Sequence, residues 1–233
     1  MVTNGTMILR QVMKVVKNRC GVTMLIETIP AGPLKANCYI IGCTETGEGA
    51  VIDAGGDAEK ILARLKALGL SLRYILNTHG HFDHVSANRA LHDATGAELC
   101  IHEHEMYFSC SAAAAGRDFG VAAEDSPPPN RFLEDGMRLC LGRYVLQVIY
   151  TPGHSLGGCC FWCESEGLVF TGDTLFNGSI GRVDLPGGSL HALQRSIRER
   201  LFVLGDSTRV FPGHGTASSI GRERLANPHV PRG

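Results

Sequence analysis

The sequence predicts one α/β domain in which two strand-and-helix halves form sandwiched sheets covered by helices. Three observations predict it. Short apolar runs bounded by Gly and Pro recur along the chain and read as strands. Segments with apolar residues at helical spacing fall between them in both halves. The composition, 44% hydrophobic and 19% charged over 233 residues, suits a globular chain with a substantial core.

Residues 24–29 and 38–41 read as strands split by the turn Pro30-Ala31-Gly32-Pro33. Residues 50–53 form a short strand leading into Gly55-Gly56. The helix that follows takes Asp57 as its cap, places Ile61, Leu62, Leu65 and Leu68 on one face, and ends at Gly69. Residues 74–77 are a strand, 85–95 a helix closed by Gly96, and 98–101 another strand. Residues 111–130, from Ala112 to Pro127-Pro128-Pro129, read as a long, partly irregular surface excursion, either a lid or binding loop or a plain solvent loop. Strands return at 144–150, 159–163 and 168–171. Ser189 then caps a helix that buries Leu190, Leu193, Ile197 and Leu201, and Val210-Phe211 is a last short strand. Met24 opens the first strongly patterned segment, so residues 1–23 read as an extension and 24–233 as the domain.

Lys plus Arg is 22 against 23 Asp plus Glu, so no basic surplus points to nucleic acid or an anionic membrane as a partner. Lys14, Lys17 and Arg19 interrupt the apolar stretch near the start, so it does not read as a signal peptide. No segment approaches the roughly 20 apolar residues of a membrane-spanning helix. The nine cysteines are odd in number and lie mostly in apolar runs, as expected of small packed residues in a reducing, cytoplasmic setting. Cys160-Phe161-Trp162-Cys163 spells CxxC, but it has no second CxxC and falls in a strand, so it reads as packing.

The chemistry is carried by Thr78-His79-Gly80-His81-Phe82-Asp83-His84. With ten histidines in the chain, a chance HxHxDH has odds on the order of one in a thousand. Alternate histidines leaving a strand can converge on one cation while Asp83 and His84 continue toward a second. Imidazoles and carboxylates suit Zn2+, Fe or Mn2+, and the lack of a cysteine ligand argues against a purely structural zinc. Further donors stand where strands end beside glycine: His154 in Thr151-Pro152-Gly153-His154, Asp173 in Thr171-Gly172-Asp173-Thr174, and His214 in Pro212-Gly213-His214. Asp53, at the end of another strand, either supports a ligand histidine or forms a turn. His102-Glu103-His104 lacks the following Asp-His and reads as surface, and His92, His191 and His229 take no role.

HxHxDH, a later His, a strand-end Asp and a final His resemble the metallo-β-lactamase superfamily over roughly residues 24–228. The resemblance implies a four-layer αββα sandwich and two divalent metal ions, Zn2+ first, with Fe or Mn compatible. It implies His79, His81 and His154 on one ion, Asp83, His84 and His214 on the other, and Asp173 between them. Asp83 and Asp173 are then the catalytic carboxylates. Residues 174–184, with Gly181-Arg182-Val183-Asp184, resemble the loop after the bridging Asp in glyoxalase II, and Glu223-Arg224-Leu225-Ala226-Asn227-Pro228 resembles short bacterial glyoxalase II-like proteins. Only 19 residues follow His214, so the helical glutathione-binding domain of full-length glyoxalase II is not expected.

The expected activity is hydrolysis of a small-molecule thioester, in the manner of hydroxyacylglutathione hydrolase. Two divalent cations about 3.5–4 Å apart supply hydroxide and orient a carbonyl together. A thiolate, with a reference pKa of about 8.5, leaves without a general acid. Arg182 either meets a substrate carboxylate or closes its loop by pairing with Asp184. The alternatives are a glutathione persulfide dioxygenase with one iron, or a lactonase, phosphodiesterase or β-lactamase on the same core. The acyl group and oligomeric state are left open.

Overall fold

A computed structural model describes residues 16–17 and 23–231 of the chain. The extension expected over residues 1–23 lies, apart from residues 16–17 and 23, outside the described residues. The first sheet runs in chain order: β1 (Val16–Lys17), β2 (Thr23–Ala31), β3 (Ala36–Cys43), β4 (Glu48–Ile52), β5 (Ser71–Leu76), β6 (Glu98–His102) and β7 (Arg131–Leu133). The early strands pair antiparallel, and β4 through β7 pair parallel. Two crossovers carry helices: α1 (Ala58–Ala67) joins β4 to β5, and α2 (Phe82–Val85) with α3 (Asn88–Thr95) joins β5 to β6. Two short helices, α4 (Met106–Ser109) and α5 (Ala112–Asp118), lie on the way to β7.

The second sheet holds β8 (Arg138–Leu141), β9 (Tyr144–Tyr150), β10 (Cys159–Cys163) and β11 (Leu168–Gly172). After the small hairpin β12 (Leu175–Phe176) and β13 (Ser179–Ile180), and helix α6 (Leu190–Ser196), it is completed by β14 (Arg209–Pro212) and β15 (Ser218–Ser219). β14 lies parallel to β11, and β8 through β11 form antiparallel pairs. Helix α7 (Ile220–Ala226) follows.

The period-two alternation of strands builds the layers. Tyr39, Ile41, Ile52 and Leu76 from the first sheet meet Leu146, Phe161, Phe170 and Phe211 from the second in one buried cluster between the sheets. Their neighbours Ile40, Val51 and Ile75 point the other way and pack on Ile61 and Leu65 of α1 and Leu91 of α3. On the far side, Cys160, Val169 and Val210 pack on Leu193, Ile197 and Leu201. The result is the expected helix–sheet–sheet–helix sandwich. The same alternation resolves the CxxC: Cys160 and Cys163 face opposite sides of β10, one toward α6 and one between the sheets. Every cysteine among the described residues is free.

Several local expectations need correction. Asp57 holds the N-cap position of α1, where its carbonyl accepts the Ile61 N–H, but its side chain makes no cap bond: at φ 55° the carboxylate turns back to accept the Gly32 N–H at 3.0 Å. The single helix over 85–95 is two, because Asn88 is pulled inward to donate to Asn77 Oδ1 and Ser126 Oγ, and the Ala87 N–H donates to Ala54 O. Residues 112–118 are helical, as a run of alanines favours. Ser189 does cap α6, accepting the Ala192 N–H. Leu190 is 48% exposed, however, since it lies about 60° round the helix from Leu193. The sequence reading also missed β7, β8, β15, the β12–β13 hairpin and α7.

Candidate metal centre

The C-terminal ends of β4, β5, β9, β11 and β14 meet at one edge of the sandwich, and each is followed by a polar side chain of interest. Asp53 follows β4, His79 to His84 follow β5, His154 follows β9, Asp173 follows β11 and His214 follows β14. The loops are drawn tight by backbone hydrogen bonds, among them Gly213 N–H to Gly172 O at 2.7 Å and Cys159 N–H to Thr78 O at 2.8 Å. Glycine at 213 is a steric requirement: a Cβ there would lie 2.2 Å from Asp173 Oδ1 and 2.8 Å from His84 Cε1.

The seven predicted donors fall together. His154 Nε2 is 3.3 Å from His79 Nε2 and 3.0 Å from His81 Nδ1. A few ångströms away, Asp83 Oδ2 is 3.2 Å from His214 Nε2 and 3.6 Å from His84 Nε2. Asp173 stands between the two groups, with Oδ2 at 3.8 Å from His154 Nε2 and 3.7 Å from His214 Nε2, and Oδ1 at 3.5 Å from His84 Nε2. Three trios have ligand atoms mutually within 4.8 Å: His79, His81 and His154; His79, His84 and Asp173; and Asp83, His84 and His214.

Two features of this donor set fit cations. Three imidazole nitrogens facing one another at about 3 Å cannot all be satisfied by each other. A tetrahedral ion with 2.0–2.1 Å bonds to nitrogen sets its ligands about 3.3 Å apart. In the second group, His84 Nε2 and Asp173 Oδ1 are buried and have no hydrogen-bond partner. Burial would lower the His84 pKa, but the carboxylates of Asp83, Asp173 and Asp53 outweigh it and push it up to about 10. The pocket therefore draws positive charge to this point. Around the first group burial, reinforced by neighbouring histidines, drives His79 well below the ordinary imidazole range and His81 down to about 3, leaving neutral nitrogens that suit a metal.

Polar contacts behind the histidines orient their rings. His154 Nδ1 donates to the Arg182 carbonyl at 2.7 Å. His84 Nδ1 lies 3.0 Å from Asp53 Oδ2. His79 Nδ1 meets Thr78 Oγ1 at 3.0 Å, and that hydroxyl donates to Asp53 Oδ2 at 2.7 Å. Asp53 is 1% exposed, held at φ 56°, and also accepts the Thr78 N–H. It thus contacts His84 directly and His79 through Thr78, while its backbone forms the turn into Gly55, whose N–H donates to the Asp53 carbonyl at 3.0 Å.

Glu105 was missed altogether. It is fully buried, and its carboxylate accepts the Gly80 N–H at 2.8 Å and the Gly157 N–H at 2.5 Å. It therefore ties the turn between His79 and His81 to the loop that follows His154. The only sequence signal was its place after His102-Glu103-His104, which conforms to the surface reading: His102 stacks on Tyr150 with ring centroids 4.9 Å apart, and His104 is exposed. Arg182 and Asp184 form the loop-closing pair, with two 2.7 Å hydrogen bonds, while Arg182 also lines the cavity above the donors.

That cavity, about 690 Å³, opens onto His81, Asp83, His154, Asp173 and His214. Residues 31–214 match the family model described as the metallo-beta-lactamase superfamily. The chain belongs to that superfamily. It is 37% identical to hydroxyacylglutathione hydrolase GloC of Haemophilus influenzae over 209 residues, covering 89% of this chain and 98% of the relative. Among solved structures, the BLEG-1 B3 metallo-beta-lactamase aligns with a TM-score of 0.82 at 34% identity, over 88% of this chain and 99% of that one. The di-iron-bound form of TTHA1623 aligns with a TM-score of 0.80 at 40% identity, over 87% and 98%. The superfamily makes this chain a metal-dependent hydrolase, with a His and Asp cluster for divalent ions. No helix among the described residues is long and apolar enough to cross a membrane.

Proposed function

We propose that the chain is a dinuclear thioester hydrolase of the hydroxyacylglutathione hydrolase type. The observation that carries this reading is the pair of donor groups joined through Asp173 at the floor of one cavity. His79, His81 and His154 would hold one ion and Asp83, His84 and His214 the other, with Asp173 reaching both. Zn2+ suits these donors, as do Fe and Mn, and a related structure that binds two irons supports the count. Bound there, such a pair would supply hydroxide at neutral pH and offset charge on a carbonyl oxygen.

The residues of the chain do the positioning. Asp53 and the Arg182 carbonyl orient His84, His79 and His154 so that lone pairs face inward. Asp83 and Asp173 provide the negative field that holds cations. The Arg182 guanidinium, on the cavity wall and paired with Asp184, would meet a carboxylate of a glutathione-type substrate by sharing that pair. A thiolate departs unprotonated, so the site serves a thioester without a dedicated acid. We also read residues 24–233 as one domain. The buried free cysteines support a reducing, cytoplasmic setting.

The test is metal analysis of the purified protein alongside hydrolysis of S-lactoylglutathione and a panel of acyl thioesters. Two metals per chain with thioester turnover is the expected result. One iron per chain with oxygen uptake on glutathione persulfide would replace this reading with a dioxygenase, and two metals with no thioester cleaved would defeat the substrate assignment.

A further inference from the structure

The cavity over the donors is walled by apolar side chains. Phe82, Phe108, Phe119, Phe176, Ile180 and Leu185 line it, drawn from α2, α4, the end of α5, the β12–β13 hairpin and the loop after it. Phe119 packs against Phe82 with ring planes tilted by 43° and centroids 5.4 Å apart, and both Phe119 and Tyr107 keep large exposed faces, 49% and 76%, beside the cavity. Apart from the ligand carboxylates, the fixed charges along the cavity lining among the described residues are Asp118 and Arg182. The Arg182 guanidinium is already committed to Asp184 by two 2.7 Å bonds. Away from the donors, the wall therefore offers aliphatic and aromatic contact and little to compensate added negative charge.

We infer that the acyl group of the substrate is an apolar chain or ring, seated against this wall with the thioester carbonyl at the donors. The inference rests on the thioesterase reading above and specifies its acyl half. Small cellular thiols carry charged or strongly polar groups, which an apolar wall would desolvate without replacing their hydrogen bonds. The thiol half is then left to the open mouth, where Arg182 is half-exposed and the departing thiolate reaches water. The acyl half gains by leaving water, and that gain grows with each methylene buried.

The experiment uses the purified, metal-loaded protein with acetyl, butanoyl, hexanoyl and octanoyl thioesters of one thiol, N-acetylcysteamine. The expected result is that kcat/KM rises about twofold to fourfold per added methylene up to hexanoyl. Phe119→Ala lowers the octanoyl-to-acetyl ratio of kcat/KM, and Phe119→Leu restores most of it. A ratio taken on one preparation cancels any loss of folded protein. Octanoate at equal concentration also raises the melting temperature more than acetate does.

A flat or falling chain-length profile among thioesters that are turned over would overturn the apolar acyl assignment and leave the thioesterase standing. An octanoate shift no larger than that of acetate would overturn it too. If no thioester is turned over, the thioesterase reading fails and the acyl assignment falls with it. The octanoate shift then separates a failure of the chemistry from a failure of the cavity.

Discussion

Removing the Glu105 carboxylate should unfasten the turn that carries His79 and His81. In Glu105→Ala, the Gly80 and Gly157 N–H groups lose their acceptor where the side chain is fully buried. A hydrogen bond to a charged group contributes about 1.5–3 kcal/mol, so two of them give about 3–6 kcal/mol. In a chain of this size, that lowers the melting temperature by on the order of 10 °C or more. The assay is thermal melting of matched metal-loaded preparations, with bound metal measured on each. Glu103→Ala is the control, because that side chain is 66% exposed and its contact with His104 is 3.8 Å; it should shift stability by no more than about 0.5 kcal/mol. A Glu105→Ala protein that melts within about 2 °C of the parent and retains its metal would refute the reasoning.

Three further changes follow from the same geometry. Asp53→Ala, which frees His84 Nδ1 and the Thr78 hydroxyl, should weaken metal affinity by about 10- to 100-fold, read by competition with a chromogenic chelator; unchanged affinity would assign Asp53 to the turn alone. Gly213→Ala forces a methyl group to within 2.2 Å of Asp173 Oδ1, so it should displace that carboxylate and reduce metal bound per chain, measured by elemental analysis. Arg182→Ala keeps the backbone carbonyl that accepts from His154, so metal content should stay the same while KM for S-lactoylglutathione rises about tenfold. An unchanged KM would leave Arg182 only its pairing with Asp184.

Much of this protein could be read from its sequence. Short apolar runs bounded by turn residues gave the central strands, with 144–150 and 159–163 matching their observed limits, because a run of that length without helical spacing suits a strand buried in a sheet. Short edge strands such as β7 and β15 were invisible, since two or three residues carry no periodicity. The α2–α3 break was equally hidden, because distant side-chain partners of Asn88 impose it. The metal donors were legible since only a few residue types bind cations, and glycine marks the strand-end turns that present them.

What tertiary structure alone decided is the support around those donors. Glu105 reaches an N–H 25 residues before it and another 52 residues after it, and Asp53 reaches Thr78 across 25 residues. No local pattern encodes such partners, because a buried carboxylate is satisfied by whichever backbone groups the packing of separate elements brings within 3 Å. The apolar wall of the cavity arises in the same way, assembled from helices and a hairpin whose nearness exists only in the folded chain. The sequence by itself determined that metal ions are the chemistry. The fold decided how the donors are held and what kind of surface a substrate meets beside them.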